Sequence, residues 1–461
     1  MKNFILDTDS YKFSHFLGYP KDVTHVYSYA ESRGGEYDAT VFFGLQKFLM
    51  ELAAVRITSE NIDEAEVFAK DHGVPFNRNG WEIIVRDYDG KIPVRIKAVP
   101  EGSVIPTRNV LVTVENTDPR LPWLTSYVET ALLRATWYPT TVATRIHEMK
   151  KRIKPYFDRT SDSGDMGFAI LDFSARGCSS RETAEIGGMA HLLSFVGSDN
   201  IPAVVAASRF YYEPMAAFSV AATEHSVMTS FGEEHEFESF EYLIDNMMPE
   251  NGILSVVSDT WNVYRATRYW GELVEKIRAK NGILVVRPDS GEMREVLPTV
   301  MKTLEASFGY DLNSKGFKVL RNVKVLQGDG INEHTVVEPF AIAEELGISA
   351  DSVMTGSGGG LMQANIDRDT CKFAFKASNV TFADGHEMGI AKNPVTDSGK
   401  MSKKGRLKLI DCGEGHYTTV TSRELDYESL KDVLRTVYEN GELPTVQGLQ
   451  HIRDILAATL N

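Results

Sequence analysis

Apolar and polar positions change texture along this chain. Between residues 254 and 360, short apolar runs break repeatedly into acid, Gly, Ser or Arg, as LSVVSDT, ILVVRPDSG, VKVLQGDG and DSVMTGSGGG. Apolar runs of about four to six residues bounded by turn residues predict strands buried on both faces, and polar groups at their carboxyl ends are where barrels keep chemistry. GFAILDFSARG and the helix-like ETAEIGGMAHLLSFVG precede these runs, and WNVYRATRYWGELVEKIRAKNG lies between two of them. The period of roughly 30 to 40 residues fits consecutive right-handed βαβ units.

The first 140 or so residues read differently. HVYSYAES, VRIKAVPEG and NVLVTVENT are strand-like, with Pro100, Gly102 and Pro106 between the last two, and FFGLQKFLMELAA is helix-like. Leu124, Val128, Ala131, Leu132 and Ala135 predict a helix from Trp123 to Trp137, which Pro139 should interrupt. Near the end, GRLKLID predicts a strand and DYESLKDVLRTVYENG a helix. That helix would be capped by Ser429 and Asp432, present Leu430, Val433, Leu434, Val437 and Tyr438 on one face, and stop at Gly441. The expected fold is α/β: an irregular (β/α) barrel over 151–389, with an additional α+β domain from 1–150 joined by the C-terminal segment 390–461.

With 461 residues the chain exceeds one hydrophobic core, and 43% apolar with 25% charged residues is ordinary for a folded protein. Phe4, Ile5 and Leu6 are too short an apolar run for a signal peptide or membrane span, so a cytoplasmic location is expected. Cys178, Cys371 and Cys412 form no CxxC pair and are read as free thiols. A formal charge of −15 argues against a nucleic-acid partner. One basic cluster stands out against it: Lys400, Lys403, Lys404, Arg406 and Lys408, which suits a mobile anion-binding loop.

Several segments could carry chemistry. Gly356 to Gly360 follow a predicted strand, where bare backbone can approach a phosphate, although the Gly-Lys-Ser/Thr ending of a P-loop is absent. Arg287 and Asp289 flank Pro288 and can enter one cleft, while Ser258, Asp259 and Asp329 end neighbouring strands. His225 follows Glu224 among small residues; His235-Glu236 does not complete HExxH, and no GxSxG elbow appears. Phe173, between Asp172 and Ser174, and Tyr11 in TDSYKFSH offer stacking faces for a flat heteroaromatic ring.

Blocks from end to end extend this picture: DTDSYKFSHF, VYSYAESR, VFFGLQ, IKAVPEGSVIP, TWYPTTVAT, FSARGCSSRETA, AATEHS, RPDSG, QGDG, GSGGGL and SKKGRLKL. In these the chain resembles the nicotinamide phosphoribosyltransferases, a group of type II phosphoribosyltransferases. The resemblance implies transfer of ribose 5-phosphate from phosphoribosyl pyrophosphate to nicotinamide, with Mg²⁺ on the pyrophosphate and a homodimer sharing its active sites. It assigns Phe173 and a partner subunit's Tyr11 to the pyridine ring, Asp199 and Arg287 to the carboxamide, and Arg176 to the vicinity of the base. Asp289, Gly328 and Asp329 fall to the ribose, and Gly358, Gly359 and Arg368 to the 5′-phosphate. Arg33, Lys392, Lys400 and Lys404 fall to the pyrophosphate end, and Ser219 and Ser258 complete the substrate-binding set. The catalytic set is His225, Arg287 and Asp289, His225 matching the histidine that ATP phosphorylates.

Two departures stand out. Asn262 occupies a position where relatives carry Asp; if that carboxylate orients the histidine, ATP coupling is weakened. The loop after GSGGGLMQ is also one residue longer before Arg368. Asp199 favours nicotinamide over nicotinate, whose carboxylate it would repel. A non-catalytic nucleotide sensor would have no need of His225, Arg287, Asp289 and GSGGG together.

Overall fold

The computed structural model describes residues 3–393 and 402–460. It divides into two units, and two six-stranded sheets organise the described residues.

The first unit comprises residues up to Thr144, Arg209–Glu213 and those from Asn365 onward. Its sheet pairs the strand Val23–Ser32 antiparallel with Val110–Asn116 on one side and Phe373–Phe382 on the other, and Val94–Ala98 continues it to Arg435–Glu439. The C-terminal return therefore begins at Asn365 rather than at 390, because KFAFKASNVTF supplies a long strand beside Val23–Ser32. Trp81, Trp123 and Tyr127 meet edge to face at ring separations of 5.0 to 5.4 Å in the core beneath.

Two expectations fail here for physical reasons. The segment expected as a helix from 426 forms a short 3-10 turn, Tyr427–Ser429, and then the strand Arg435–Glu439. Asp432 caps no helix; its carboxylate accepts from the Leu409 and Leu434 amides at 3.1 and 3.0 Å. The β-branched pair Thr436 and Val437, with buried Tyr438 donating to the Ile92 carbonyl at 3.0 Å, suits a strand against Val94–Ala98. Pro139, in turn, does not stop its helix, which runs Glu129–Thr160. Its ring lies against Gly44, where a Cβ would stand 2.4 Å from the proline Cγ. Buried Thr136, Thr141 and Thr144 return their hydroxyls to carbonyls one turn back, at 2.6 to 2.7 Å, so these polar groups are satisfied inside the helix.

The second unit, Arg145–Ser208 and Pro214–Ala364, carries the four apolar runs as adjacent parallel strands. Their order is Ile170–Asp172, Val353–Ser357, Val323–Gln327, Ile283–Arg287, Ile253–Val257, Ala221–Ala222. Single bridges, Asp172 to Ser198 and Gly197 to Phe218, carry the pairing from the first edge to a residue just ahead of the last. The sheet thus curls into an irregular parallel barrel, and all its strand carboxyl ends face one way.

Candidate active site

At that carboxyl end lies a cavity of about 540 Å³, bordered by Phe173, Arg176, Asp199, Arg287, Asp289 and the 358–359 glycines, with Thr223, Glu224 and Gly328 also on its wall. They come from the ends of, or the turns after, several different strands and bridges, so no local stretch of sequence contains the site. Phe173 is set by its amide, which donates to the Ser357 carbonyl at 2.9 Å, and by Gly356, where a Cβ would stand 2.3 Å from the ring. Asp172, fully buried, accepts from the Ser174 amide and hydroxyl at 2.8 and 2.6 Å and from Asn200 at 3.1 Å, fixing the turn that carries Phe173.

Arg287 places its guanidinium carbon 6.0 Å from the Phe173 ring centroid and donates from Nη2 to the Thr223 carbonyl at 3.2 Å. Its Nε is buried with no hydrogen-bond partner among the described residues and lies 3.9 Å from Asp289 Oδ2. Asp289 fits because residue 328 is glycine: a Cβ there would stand 2.3 Å from its Oδ1. Burial pushes the Asp289 carboxyl up; Asp259 and Asp329 add to this, and Arg287 and His225 oppose it.

Asp199 accepts a hydrogen bond from the Ser219 hydroxyl at the rim. His225 Nε2 meets Asp259 Oδ1 at 3.0 Å, with the histidine side chain 50% exposed and the aspartate 7%. A carboxylate only accepts, so Asp259 holds the proton on Nε2 and leaves the lone pair on Nδ1. Asn262 does something else: its side chain caps the helix Val263–Glu272 by accepting from the Tyr264 and Arg265 amides at 3.1 and 3.0 Å. The carboxylate that orients His225 is therefore present in this chain, three residues before Asn262.

Ser258 does not reach the cavity. It is 1% exposed, donating to the Val256 carbonyl at 3.0 Å and accepting from the Trp270 indole at 3.1 Å, so its hydroxyl is spent on the core. Asp329 is exposed beside Gly328. The remaining expected residues belong to the first unit. Arg33, Arg368 and Lys392 border a cavity of about 680 Å³ there, together with Arg108, Lys372 and Lys376, which sequence reasoning missed. Burial lowers the Lys376 ammonium; Glu129 opposes this, while Arg33, Lys392 and Arg368 reinforce it, so the cavity suits an anion. The alternation in KFAFK was the available signal for Lys372 and Lys376. Tyr11 is 57% exposed on the turn Ser10–Leu17, and Lys404 is exposed. Lys400 lies outside the described residues. Lys403, Arg406 and Lys408 are not a free anion loop: Lys403 pairs with Glu31, Arg406 with Glu115 and Glu387, and Lys408 with backbone carbonyls of 427–430.

Residues 168–442 match the Nicotinate phosphoribosyltransferase (NAPRTase) family, and residues 3–96 match the N-terminal domain of nicotinamide phosphoribosyltransferase. A nicotinamide phosphoribosyltransferase of Xanthomonas campestris pv. campestris is 43% identical over 460 residues, covering 98% of both chains. One of Acinetobacter baylyi is 33% identical, over 98% of this chain and 96% of its own. The chain belongs to the nicotinamide phosphoribosyltransferase family.

Solved structures extend the likeness of this family member to fold alone. Nicotinate-nucleotide pyrophosphorylase from Pyrococcus furiosus matches with TM-score 0.63 at 18% identity, over 98% of this chain and 94% of its own. Human nicotinic acid phosphoribosyltransferase matches with TM-score 0.59 at 17% identity, over 98% and 93%. For the Mg²⁺ that the nicotinamide phosphoribosyltransferase resemblance implies, no group of three or more His, Cys, Asp or Glu among the described residues is arranged as a metal cage.

Proposed function

We propose that this chain makes nicotinamide mononucleotide and pyrophosphate from nicotinamide and phosphoribosyl pyrophosphate, in NAD biosynthesis or salvage. One observation carries this reading: Asp199, an acceptor held by Ser219, shares a cavity with Arg287, a donor, and with the Phe173 ring. A carboxamide donates through its NH₂ and accepts through its oxygen, matching both groups, whereas a carboxylate would meet Asp199 with like charge. The pyridine nitrogen attacks the anomeric carbon as the bond to pyrophosphate breaks, and the positive charge passes to the ring nitrogen. Asp289, with Asp259 and Asp329 near it, supplies a negative field for the charge developing on the sugar, and Gly358 and Gly359 expose backbone to the 5′-phosphate. Mg²⁺ enters with the pyrophosphate, as part of the substrate.

The cation-lined cavity of the first unit takes the pyrophosphate group, and Tyr11 covers the base, each serving a partner subunit's site in a homodimer. No helix among the described residues is long and apolar enough to cross a membrane, and the enzyme works in the cytoplasm. The test is product formation from phosphoribosyl pyrophosphate and Mg²⁺ with either base. Nicotinamide should be used and nicotinate rejected, and Asp199→Asn should shift the ratio of kcat/KM toward nicotinate on the order of a hundredfold. Unchanged selectivity would remove Asp199 from this role.

ATP enters through His225. Its Nδ1 attacks the γ-phosphorus, an N–P bond forms, the bridging P–O bond breaks, and ADP departs. The His225→Ala variant is expected to keep ATP-independent transfer while losing both ATP stimulation and phosphohistidine signal; stimulation that survives the substitution would exclude the histidine.

A further inference from the structure

The cation-lined cavity of the first unit has an acid behind its wall. Glu31, on the strand Val23–Ser32, is 3% exposed and lies two residues before Arg33, which follows the end of that strand. Glu31 Oε1 accepts from Arg33 Nε at 2.8 Å, and Oε2 accepts from the Lys403 ammonium. That ammonium also donates to the Arg108 carbonyl at 2.6 Å, and the Lys403 amide donates to the Tyr29 phenol oxygen at 2.9 Å. Arg33 and Arg108 both border the cavity, while Glu31 and Lys403 do not. The Arg33 Nη2 is buried with no hydrogen-bond partner among the described residues.

We propose that Glu31 is a positioning residue for diphosphate recognition: it grips Arg33 by Nε, and through Lys403 it ties down the Arg108 backbone. The accessible edge of the Arg33 guanidinium then meets the ligand in a fixed orientation. This rests on the reading of the cavity as the pyrophosphate site. A planar guanidinium binds phosphate oxygens with two parallel donors only when its plane is set, and a carboxylate on Nε sets that plane. Without it, Arg33 has several rotamers to lose on binding.

Charge alone predicts the opposite sign. A carboxylate beside an anion site repels the anion, so Glu31→Gln should tighten pyrophosphate binding if Glu31 acts only as a charge. If it positions Arg33, the same substitution should weaken binding.

The experiment titrates inorganic pyrophosphate with Mg²⁺ into the full-length enzyme and measures the kinetics of both substrates, for Glu31→Gln, Arg33→Met, Arg33→Lys and the Glu31→Gln/Arg33→Met double variant. Glu31→Gln should raise the pyrophosphate Kd and the KM for phosphoribosyl pyrophosphate about tenfold, with kcat and the KM for nicotinamide little changed. The double variant should bind no more weakly than Arg33→Met. Equal or tighter binding by Glu31→Gln, or additive losses, overturns the positioning role while leaving the cavity assignment standing. Wild-type binding by Arg33→Met overturns the cavity assignment and the positioning role together. Should Glu31→Gln not fold, Arg33→Lys decides: it keeps the charge and loses the fork, so binding as tight as wild type would show that orientation is not what the site uses.

Discussion

Asp289→Asn is expected to lower kcat/KM by about 10²- to 10³-fold and at the same time raise the thermal unfolding midpoint at neutral pH. The carboxyl is partly buried near Asp259 and Asp329, and Arg287 offsets this only from 3.9 Å. Its folded pKa is thus raised, so the protonated form is the one folding favours. The stability it contributes is present below the ordinary carboxylate range and is lost as pH rises through the raised value. Asparagine removes that loss at neutral pH, together with the negative charge that the transferring sugar needs. The wild-type rate should fall as pH drops through the raised value, and the residual rate of the variant should lack that acid limb. Calorimetry at several pH values beside pH–rate profiles checks both halves. A variant less stable than wild type at pH 8, or one with wild-type kcat/KM, defeats the account.

Gly356→Ala should raise the KM for nicotinamide by roughly tenfold or more while leaving pyrophosphate binding intact. A methyl group there would stand 2.3 Å from Phe173 Cε2 and 2.7 Å from Cδ2, far inside the 3.5 to 4.0 Å of ordinary carbon contact. The Phe173 backbone cannot retreat easily, because its amide is bonded to Ser357 and the next residue is clamped by Asp172. The ring has to swing into the cavity, taking its stacking face away from the base. Steady-state kinetics with each substrate varied in turn reads the effect, and an unchanged KM for nicotinamide would mean that this ring does not define the base site.

The barrel was legible because its strands are buried on both faces: SVV, ILVV, KVLQ and SVMT are nearly unbroken apolar runs whose ends must be polar. Arg287, Asp289 and Gly328 follow from those ends directly. Ser258 shares the pattern, but a strand-end residue can also turn inward, and only the Trp270 indole shows that it does. The His225 partner lay hidden for a related reason: Asp259 and Asn262 sit on one turn, and which of them faces a residue 34 positions away is decided by the helix that Asn262 caps. The segment after Tyr427 carried helical spacing and strand composition together, and pairing with Val94–Ala98 decided between them. The cation cavity was least legible, since residues 33, 108, 368, 376 and 392 meet only through the sheet that the C-terminal return completes.

The barrel is closed by single bridges at Gly197–Ser198 and Phe218 rather than by a full ladder, and the residues that follow those bridges are Asp199 and Ser219. The pair assigned to reading the ring substituent therefore sits on a seam held by single bridges, and both members are exposed. Substitutions at exposed sites away from packed features usually change stability by about 0.5 kcal/mol or less. A library confined to positions 199 and 219 should accordingly sample changes of substrate preference on an almost constant scaffold, the circumstance in which a lineage could drift between amide and acid without passing through unfolded intermediates.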